Sequence, residues 1–210
     1  LLAGISHDLR TPLSRLRLGV EMLDDGQDDR LKPGMIQDIE DMDAIINQFL
    51  DFAREGGNEP SREGEDLNHI VASVCERFSR RGQAVRVRLG SLPPLTLKPT
   101  ATQRMVTNLI DNAMRYGGGD IEITTQQVGD CAVVRVLDRG PGIPDSEFSR
   151  VMQPFTRLEA SRAGGKGSGL GLAIVERAAR MHGGTVKLLA REGGGLEARV
   201  ELPVVVPRAA

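Results

Sequence analysis

The sequence predicts a chain of two differently built parts, a pair of helices followed by an α/β sandwich. Up to residue 56 the apolar residues recur only at helical spacing. From residue 65 onward, stretches with helical periodicity alternate with stretches that have the period of a strand. Between them, Gly56–Gly64 (GGNEPSREG) is the clearest break in composition. We therefore expect a helical hairpin at 1–56, a linker at 57–64 and a second domain at 65–210.

Each helix of the first part carries one narrow apolar stripe. The stripes consist of Leu2, Leu9, Leu13, Leu16, Val20 and Leu23 in the first helix, and of Ile39, Met42, Ile46, Phe49 and Ala53 in the second. Two such helices cannot surround a core by themselves. We therefore expect an antiparallel hairpin that pairs with a second copy as a dimeric four-helix bundle. The alternative is a monomeric hairpin that lies against the second domain.

The second part predicts helices layered on one face of a mixed sheet, an α/β sandwich. The predicted helices run from a cap at Asp66 or Asn68 to about Arg81, over Thr100–Tyr116 with Gly117 as C-cap, and over Leu170–His182. The predicted strands are Val85–Leu89, Leu95–Lys98, Ile121–Gln126, Ala132–Asp138, Thr185–Ala190 and Leu196–Leu202.

Composition excludes several classes of protein. With 27 Lys and Arg against 29 Asp and Glu, the chain has no electrostatic bias toward nucleic acid, and its 3% aromatic content leaves few surfaces for base stacking. The two cysteines, Cys75 and Cys131, have no metal-binding spacing, so we expect neither a disulfide scaffold nor a zinc site. No uncharged stretch approaches the roughly 20 apolar residues that span a membrane. Because the chain begins at Leu1, within a predicted helix, we expect a fragment of a longer protein.

His7 is placed on the face of the first helix that points away from the leucine stripe, about 155° from its centre. Pro12 cannot donate to the carbonyl of Asp8 and predicts a kink one turn after His7. A neutral imidazole is a good nucleophile toward phosphorus, and Asp8 could orient it or accept its proton. Taken alone, the segment also fits a surface histidine beside a chance proline. The face of His7 is shared by Thr11, Ser14 and Leu18.

Three clusters in the second part favour a nucleotide. Asn108 and Asn112 project from one helix face, Asp138–Ile143 (DRGPGI) follows a strand, and Gly164–Leu172 (GGKGSGLGL) opens a helix. Each cluster alone also fits an ordinary helix or loop. The last one is not a P-loop, because Gly167 stands where Ser or Thr is required, and its evenly spaced glycines do not match G-x-G-x-x-G.

Five ordered motifs together resemble those of sensor histidine kinases. They are an H-box at Ser6–Leu13 (SHDLRTPL), an N-box at Asn108–Gly117 (NLIDNAMRYG), a first glycine box at Asp138–Ile143, an F-box at Gln153–Arg157 (QPFTR) and a second glycine box at Gly167–Leu172 (GSGLGL). Their order and spacing match over essentially the whole chain. The opening and the Ile39–Arg54 helix are most similar to the EnvZ osmosensor branch.

The resemblance implies a homodimeric bundle that carries the phospho-accepting histidine, joined to a Bergerat-type ATP-binding domain. His7 would be the nucleophile for the γ-phosphate of ATP, and Asp8 would accept its proton. Thr11 would help water attack the phosphoaspartate of the response regulator in the reverse, phosphatase activity. The regulator, of the OmpR-like type, would dock near His7, and our candidates for partner choice are Ser14, Leu18 and Gly19.

The resemblance also implies the nucleotide contacts. Asn112 would coordinate Mg²⁺, with Asn108, Arg115 and Tyr116 around the nucleotide. Asp138 would hold the adenine amine in a wall shaped by Gly140 and Gly142. A lid from about 145 to 167 would be anchored by Phe155, and the phosphates would meet the second glycine box and its neighbour, namely Lys166, Gly167, Ser168, Gly169, Leu170 and Gly171. Two small departures are Ser168, where Thr is common, and Arg139 inside the first glycine box.

We therefore expect a bifunctional kinase that needs ATP and Mg²⁺, that has no direct nucleic-acid partner, and that meets a membrane only through segments outside this sequence. It would be the cytoplasmic portion of a bacterial inner-membrane protein. The alternatives are a phosphatase-dominant protein, a non-kinase ATPase of the same nucleotide-binding superfamily and an interaction module that binds nucleotide without chemistry.

Overall fold

The computed structural model describes most of the second part of the chain and a few residues of the first. The described residues are 59–158, 169–204 and, before these, 13, 14, 16, 18–20, 34–36, 39, 42 and 46. The chain divides into two compact units, Leu1–Gly57 with Gln153–Leu170 and Asn58–Met152 with Gly171–Ala210. The domain limits expected from the sequence stay a prediction.

The described residues of the first 57 are all helical, in agreement with two helical stretches. Four residues of the predicted apolar stripes remain exposed in the single chain. Leu13 is 58% exposed and Val20 56% in the first stretch, while Ile39 is 48% and Ile46 42% exposed in the second. These side chains therefore have apolar surface that the single chain does not cover.

Gly19 was expected to lie on an exposed docking surface, but the structure buries it. The residue is buried, and a Cβ added to it would lie 3.1 Å from Cγ of Met35 in the second helical stretch. The absence of a side chain thus lets the two helical stretches approach each other at this point. Ser14 and Leu18, the other two candidates, are exposed as predicted.

The second unit contains a mixed sheet of five strands. They are β2 (Arg86–Leu89), β4 (Glu122–Val128), β5 (Cys131–Leu137), β6 (Thr185–Ala190) and β7 (Leu196–Pro203), in the spatial order β2-β4-β5-β7-β6. Only β2 and β4 run parallel. A separate two-stranded sheet is formed by β1 (Arg62–Glu65) and β3 (Leu95–Leu97). The helices are α1 (Leu67–Arg80), α2 (Pro99–Tyr116), α3 (Phe148–Val151) and α4 (Gly171–Met181), with a 3₁₀ turn at Asp145–Glu147.

The ends of the long helices follow from local chemistry. Asp66 caps α1, because its carboxylate accepts a hydrogen bond from the backbone N–H of His69 at 3.1 Å. Pro99 occupies the start of α2, where its missing N–H costs nothing, and Gly117 ends that helix. Gly183, with φ of +69°, turns the chain after α4. These limits confirm the helices predicted from periodicity.

The two faces of the sheet differ sharply. On one face the paired residues Ile123, Val136 and Ala198 are buried, and α1, α2 and α4 pack against the sheet. The opposite face carries charged side chains that pair across neighbouring strands or, for Arg199 with Glu197, along one strand. These pairs are Arg88 with Glu122, Arg135 and Arg199 with Glu197, and Lys187 with Glu201. The helices thus cover one face of a mixed sheet, which confirms the predicted α/β sandwich.

The sequence did not predict β1, which lies partly within the expected linker. Its sequence, REGE, has neither alternation nor a β-branched residue, and its residues are mostly exposed. Pairing with β3 rather than burial holds it in place, with Arg62 opposite Leu97 and Glu65 opposite Leu95. Of the expected linker, Arg62–Gly64 therefore belong to a strand.

Candidate nucleotide-binding site

The two asparagines of α2 lie on the same helix face, as their spacing predicted. Nδ2 of Asn108 donates to the backbone oxygen of Arg104 at 2.9 Å. Nδ2 of Asn112, in contrast, is buried and has no hydrogen-bond partner among the described residues. A buried amide without a partner is costly in a folded protein, so the missing partner points to a ligand.

Gly171, the first residue of α4, brings the start of that helix against the Asn112 amide. A Cβ at position 171 would lie 2.9 Å from Oδ1 and 3.1 Å from Nδ2 of Asn112. Glycine is therefore needed here for close approach. The start of α4 thus packs directly against the Asn112 amide within the second unit.

Asp138, which follows β5, has one carboxylate oxygen held and the other available. Its side chain is mostly buried, with the residue 7% exposed. Oδ1 accepts hydrogen bonds from the backbone N–H groups of Gly140 at 2.9 Å and Leu196 at 3.2 Å. None of the described residues donates to Oδ2. The carboxylate is thus fixed in orientation and offers an acceptor to a ligand that carries an N–H group.

Glycines let the end of α2 approach the first glycine box. A Cβ on Gly117 would collide with the side chain of Asp138, and one on Gly140 would collide with the backbone oxygen of Tyr116. The backbone N–H of Arg139 also donates to the oxygen of Gly117 at 3.0 Å. The structure thus brings Asp138 and Gly140 beside the end of the asparagine helix, as expected for parts of one site.

The remaining candidates of this unit lie around the same elements. Gly142 has φ of +71°, and a Cβ there would lie 3.2 Å from the backbone oxygen of Gly195. Arg115 and Tyr116 are exposed on the last turn of α2, where long side chains remain accessible to a ligand.

Phe155 and Gly169 are joined to each other within the first unit. The backbone N–H of Phe155 donates to the oxygen of Gly169 at 2.9 Å. Phe155 has φ of +63°, an unusual backbone conformation for a residue with a side chain. Gly169 has φ of +67°, and a Cβ there would lie 2.8 Å from the carbonyl carbon of Phe155. This contact joins the two ends of the segment between them, and the next residue, Leu170, is buried.

The other predicted site residues lie outside the described part of the chain. These are His7, Asp8 and Thr11 of the H-box and Lys166, Gly167 and Ser168 of the second glycine box. Their assigned roles stay predictions.

The start of α2 is held by two residues that the sequence did not reveal. Lys98, at the N-cap position, makes no capping hydrogen bond with its side chain. Glu59 instead accepts from the backbone N–H groups of Thr100 at 2.8 Å and Ala101 at 3.0 Å. No sequence signal marks this cap, because its donor helix lies about 40 residues downstream of Glu59.

His182, which directly follows α4, joins the end of that helix to the start of α2. Its Nε2 accepts from the backbone N–H of Lys98 at 2.9 Å, and Nδ1 donates to the oxygen of Ala178 at 2.7 Å. This arrangement requires the neutral ring. Burial lowers the pKa of His182 below its ordinary value of 6.5, and Lys98 acts in the same direction, against the opposing effects of Ala178 and Glu59. The helix that carries the asparagines is therefore fixed at its start by two side chains.

Neither a dedicated metal cage nor a membrane helix is found where the structure is described. No group of three or more His, Cys, Asp or Glu residues is arranged to hold a metal ion within 59–158, 169–204 and the described helical residues before them. In the same residues, no helix is both long and apolar enough to cross a bilayer.

Two protein families match the chain. The family "Histidine kinase-, DNA gyrase B-, and HSP90-like ATPase" matches residues 97–206, which include Asn108, Asn112, Asp138 and both glycine boxes. The family "His Kinase A (phospho-acceptor) domain" matches residues 1–58, which include His7. The chain therefore belongs to the histidine kinase-, DNA gyrase B- and HSP90-like ATPases and, within them, to the sensor histidine kinases.

Individual relatives agree with this assignment. The sensor histidine kinase GtrS of Pseudomonas aeruginosa is 34% identical over 203 residues, which cover 97% of this chain and 41% of GtrS. The solved structure of the Acinetobacter baumannii histidine kinase AdeS is similar in fold, with a TM-score of 0.74 at 20% identity over 95% of this chain and 98% of that chain. The histidine kinase domain of the E. coli osmosensor EnvZ is 33% identical, with a TM-score of 0.54 over 74% of this chain and 96% of that domain. The likeness to EnvZ is compatible with the expected branch.

Proposed function

We propose that this chain is the core of a kinase that transfers the γ-phosphoryl group of ATP to His7 and from there to an aspartate of a response regulator. The chain spans less than half the length of GtrS, so the activity of the whole protein is part of the proposal. The observation that carries it is the Asp138 carboxylate, which is fixed through Oδ1 and leaves Oδ2 for a ligand. This acceptor belongs to a domain of an ATPase family.

The geometry around Asp138 and Asn112 supports a set of proposed nucleotide contacts. Oδ2 of Asp138 would accept a hydrogen bond from the exocyclic amine of adenine, with Gly140 and Gly142 allowing the base to approach the backbone. The partnerless Nδ2 of Asn112 would donate to a phosphate oxygen, with Asn108, Arg115 and Tyr116 nearby on α2. We carry over the phosphate contacts of Gly167, Gly169 and Gly171 and the lid role of Phe155 from the family resemblance.

The metal assignment fits the chemistry of one residue. Amide oxygens are ligands that Mg²⁺ accepts, and Mg²⁺ in phosphate sites usually keeps waters and takes few protein ligands. Asn112 could therefore hold a hydrated Mg²⁺ through Oδ1 without a carboxylate cage. When bound, the ion would neutralise charge on the phosphates.

The transfer itself requires little from the protein beyond positioning. A ring nitrogen of neutral His7 would form a bond to the γ-phosphorus, and the bond from that phosphorus to the bridging oxygen of ADP would break. Asp8 would take the proton of the other ring nitrogen. The phosphoryl group would then pass to a regulator aspartate, and Thr11 would assist water in removing it from there.

The exposed stripes support a homodimer. Leu13, Val20, Ile39 and Ile46 each keep more than two-fifths of their surface in the single chain, and a second copy would cover them as a four-helix bundle. The regulator, of the OmpR-like type, would dock on the His7 face at Ser14 and Leu18. We also propose that the chain is the cytoplasmic portion of a bacterial inner-membrane protein.

Two alternatives to this kinase are a non-kinase ATPase and a phosphatase-dominant protein. The match to the phospho-acceptor domain disfavours a non-kinase ATPase, which would need no such domain. A phosphatase-dominant protein would share all of these residues, and it would differ in the direction of phosphoryl flow.

The test is labelling with γ-³²P-ATP and Mg²⁺, comparing the wild type with His7→Gln. We expect an acid-labile, alkali-stable label that is lost in the variant. Asp138→Asn is the control for nucleotide dependence, and it should lose label through weaker ATP binding. Tight ATP binding without label would contradict the kinase proposal. Removal of phosphate from a phosphorylated regulator would then favour the phosphatase alternative.

A further inference from the structure

Arg191, at the start of the turn between β6 and β7, reaches the backbone of Asp138. Its Nη1 donates to the Asp138 carbonyl oxygen at 3.1 Å, and its Nη2 lies 3.8 Å from the Glu122 carboxylate. The Arg191 side chain is only 9% exposed. A buried arginine needs partners for its hydrogen-bond donors. Here the partners are Asp138, whose side chain carries the available acceptor, and the carboxylate of Glu122 on β4, the strand next to β5.

Arg139 makes the reverse connection. It follows Asp138 in the chain, and its Nη1 donates to the backbone oxygens of Glu192 at 2.8 Å and Gly194 at 3.1 Å, both in the β6–β7 turn. Arg191 therefore donates from the turn to the backbone of Asp138, and Arg139 donates from the residue after Asp138 to the backbone of the turn. We call this pair, Arg139 and Arg191, the arginine clasp.

The turn is shaped to permit this contact. Gly193, Gly194 and Gly195 have φ of +76°, +94° and +109° in succession, a conformation that suits glycine. A Cβ on Gly195 would collide with the backbone oxygen of Asp138. The next residue, Leu196, donates its N–H to Oδ1 of Asp138. The orientation of the carboxylate thus depends on where the turn lies, and the clasp fixes the turn.

We propose that Arg191 and Arg139 are positioning residues that set the preference of the site for a 6-aminopurine base. They would act through the β6–β7 turn on the Asp138 carboxylate and would not touch the nucleotide. The proposal rests on the proposed role of Asp138 in binding adenine. It extends that role to a turn some 50 residues away in the sequence, which none of the sequence motifs includes.

The test compares the binding of ADP and inosine diphosphate by titration calorimetry of the whole chain with Mg²⁺. Inosine diphosphate has an oxygen in place of the exocyclic amine, so it cannot donate to Oδ2. We expect Arg191→Met to weaken ADP binding about threefold to tenfold, which corresponds to one lost hydrogen bond, and to leave inosine diphosphate unchanged. Arg139→Met should act in the same direction. Its side chain is 40% exposed and tolerates replacement better if Arg191→Met proves unstable.

Arg135→Met is the matched control, because it removes a partly buried arginine from β5 that pairs with Glu197 and does not contact Asp138. The control should keep the ratio of the two affinities. In an Asp138→Asn background, the clasp variants should cause no further loss of preference. An equal loss for both nucleotides, or an unchanged ratio in both clasp variants, would overturn the clasp proposal alone. If the wild type shows no preference, or Asp138→Asn keeps it, the role of Asp138 falls and the clasp proposal falls with it.

Discussion

Asn112 and Gly171 show how one missing side chain shapes the end of the site where we propose that the phosphates bind. A methyl group at position 171 would meet the Asn112 amide at 2.9 Å, and the amide would have to move. Since Ala is a better helix former than Gly by about 1 kcal/mol, α4 itself would not be weakened. We expect Gly171→Ala to weaken Mg²⁺-dependent ADP binding by about tenfold while the protein stays folded. Titration calorimetry and circular dichroism measure the two quantities.

The matched control is Gly34→Ala. Gly34 is also helical, and a Cβ there would meet nothing within 4 Å. The control should leave ADP binding unchanged. Equal ADP affinities of the wild type and Gly171→Ala would show that the amide does not contact the nucleotide or its metal.

Among single residues, the sequence could predict those whose placement follows from a local pattern of spacing or residue type. The spacing of Asn108 and Asn112 sets their common helix face, and the glycines after Asp138 indicate a close approach of backbone. Arg191 and Glu59 could not be found in this way, because each acts on a partner about 40 or 50 residues distant in the chain. Which two segments meet is decided by the strand order and by the packing of the whole domain.

At the scale of elements, α2 depends on a carboxylate from outside the helix. Partial burial disfavours the charge of Glu59, but the N–H groups of Thr100 and Ala101 and the nearby Lys98 outweigh it, so the pKa lies below the ordinary 4.5. A lowered carboxylate pKa contributes stability that is present at neutral pH and is lost as pH falls below about 4.5.

We therefore expect Glu59→Gln to lower the free energy of unfolding by about 1 kcal/mol at pH 7, the usual size of a lost helix cap. The difference from the wild type should shrink as the pH falls through 4.5, because the wild-type carboxylate then also loses its charge. Urea unfolding followed by circular dichroism checks this. Glu63→Gln, which neutralises an exposed carboxylate in β1, is the control and should have little effect. A pH-independent difference for Glu59→Gln would contradict the electrostatic cap.

The elements themselves were predictable where one face is buried. The helices α1, α2 and α4 and the strands β4 to β7 agree with the periodicity within a few residues. Strand β1 was missed because its four residues, three of them exposed, have no apolar face to reveal it. The short helix α3 was missed as well, since four residues are too few for a periodic pattern.

At the scale of the whole molecule, the predicted linker is not uniform. Glu59 caps α2, and Arg62–Gly64 are part of β1, so this end of the linker belongs structurally to the ATP domain. Changes from Glu59 onward should therefore disturb α2 as well as the spacing between the two domains. Only the residues before Glu59 offer a way to alter the spacing alone.

Deletion of Gly56 and Gly57 should for this reason reduce phosphorylation of His7 and leave ATP affinity unchanged. The chemical step needs the imidazole and the γ-phosphate within bonding reach, and a displacement of about 1 Å can cost on the order of 100-fold in rate. The residues that we propose to bind ATP, Asn112, Asp138 and their neighbours, in contrast all lie downstream of the deletion. Initial labelling rates at saturating ATP, together with calorimetric ADP affinities, separate the two effects. Replacing both glycines by serine keeps the length and is the control. Equal losses in labelling and affinity would mean that these residues also support the ATP domain, and the linker would then not act as a spacer.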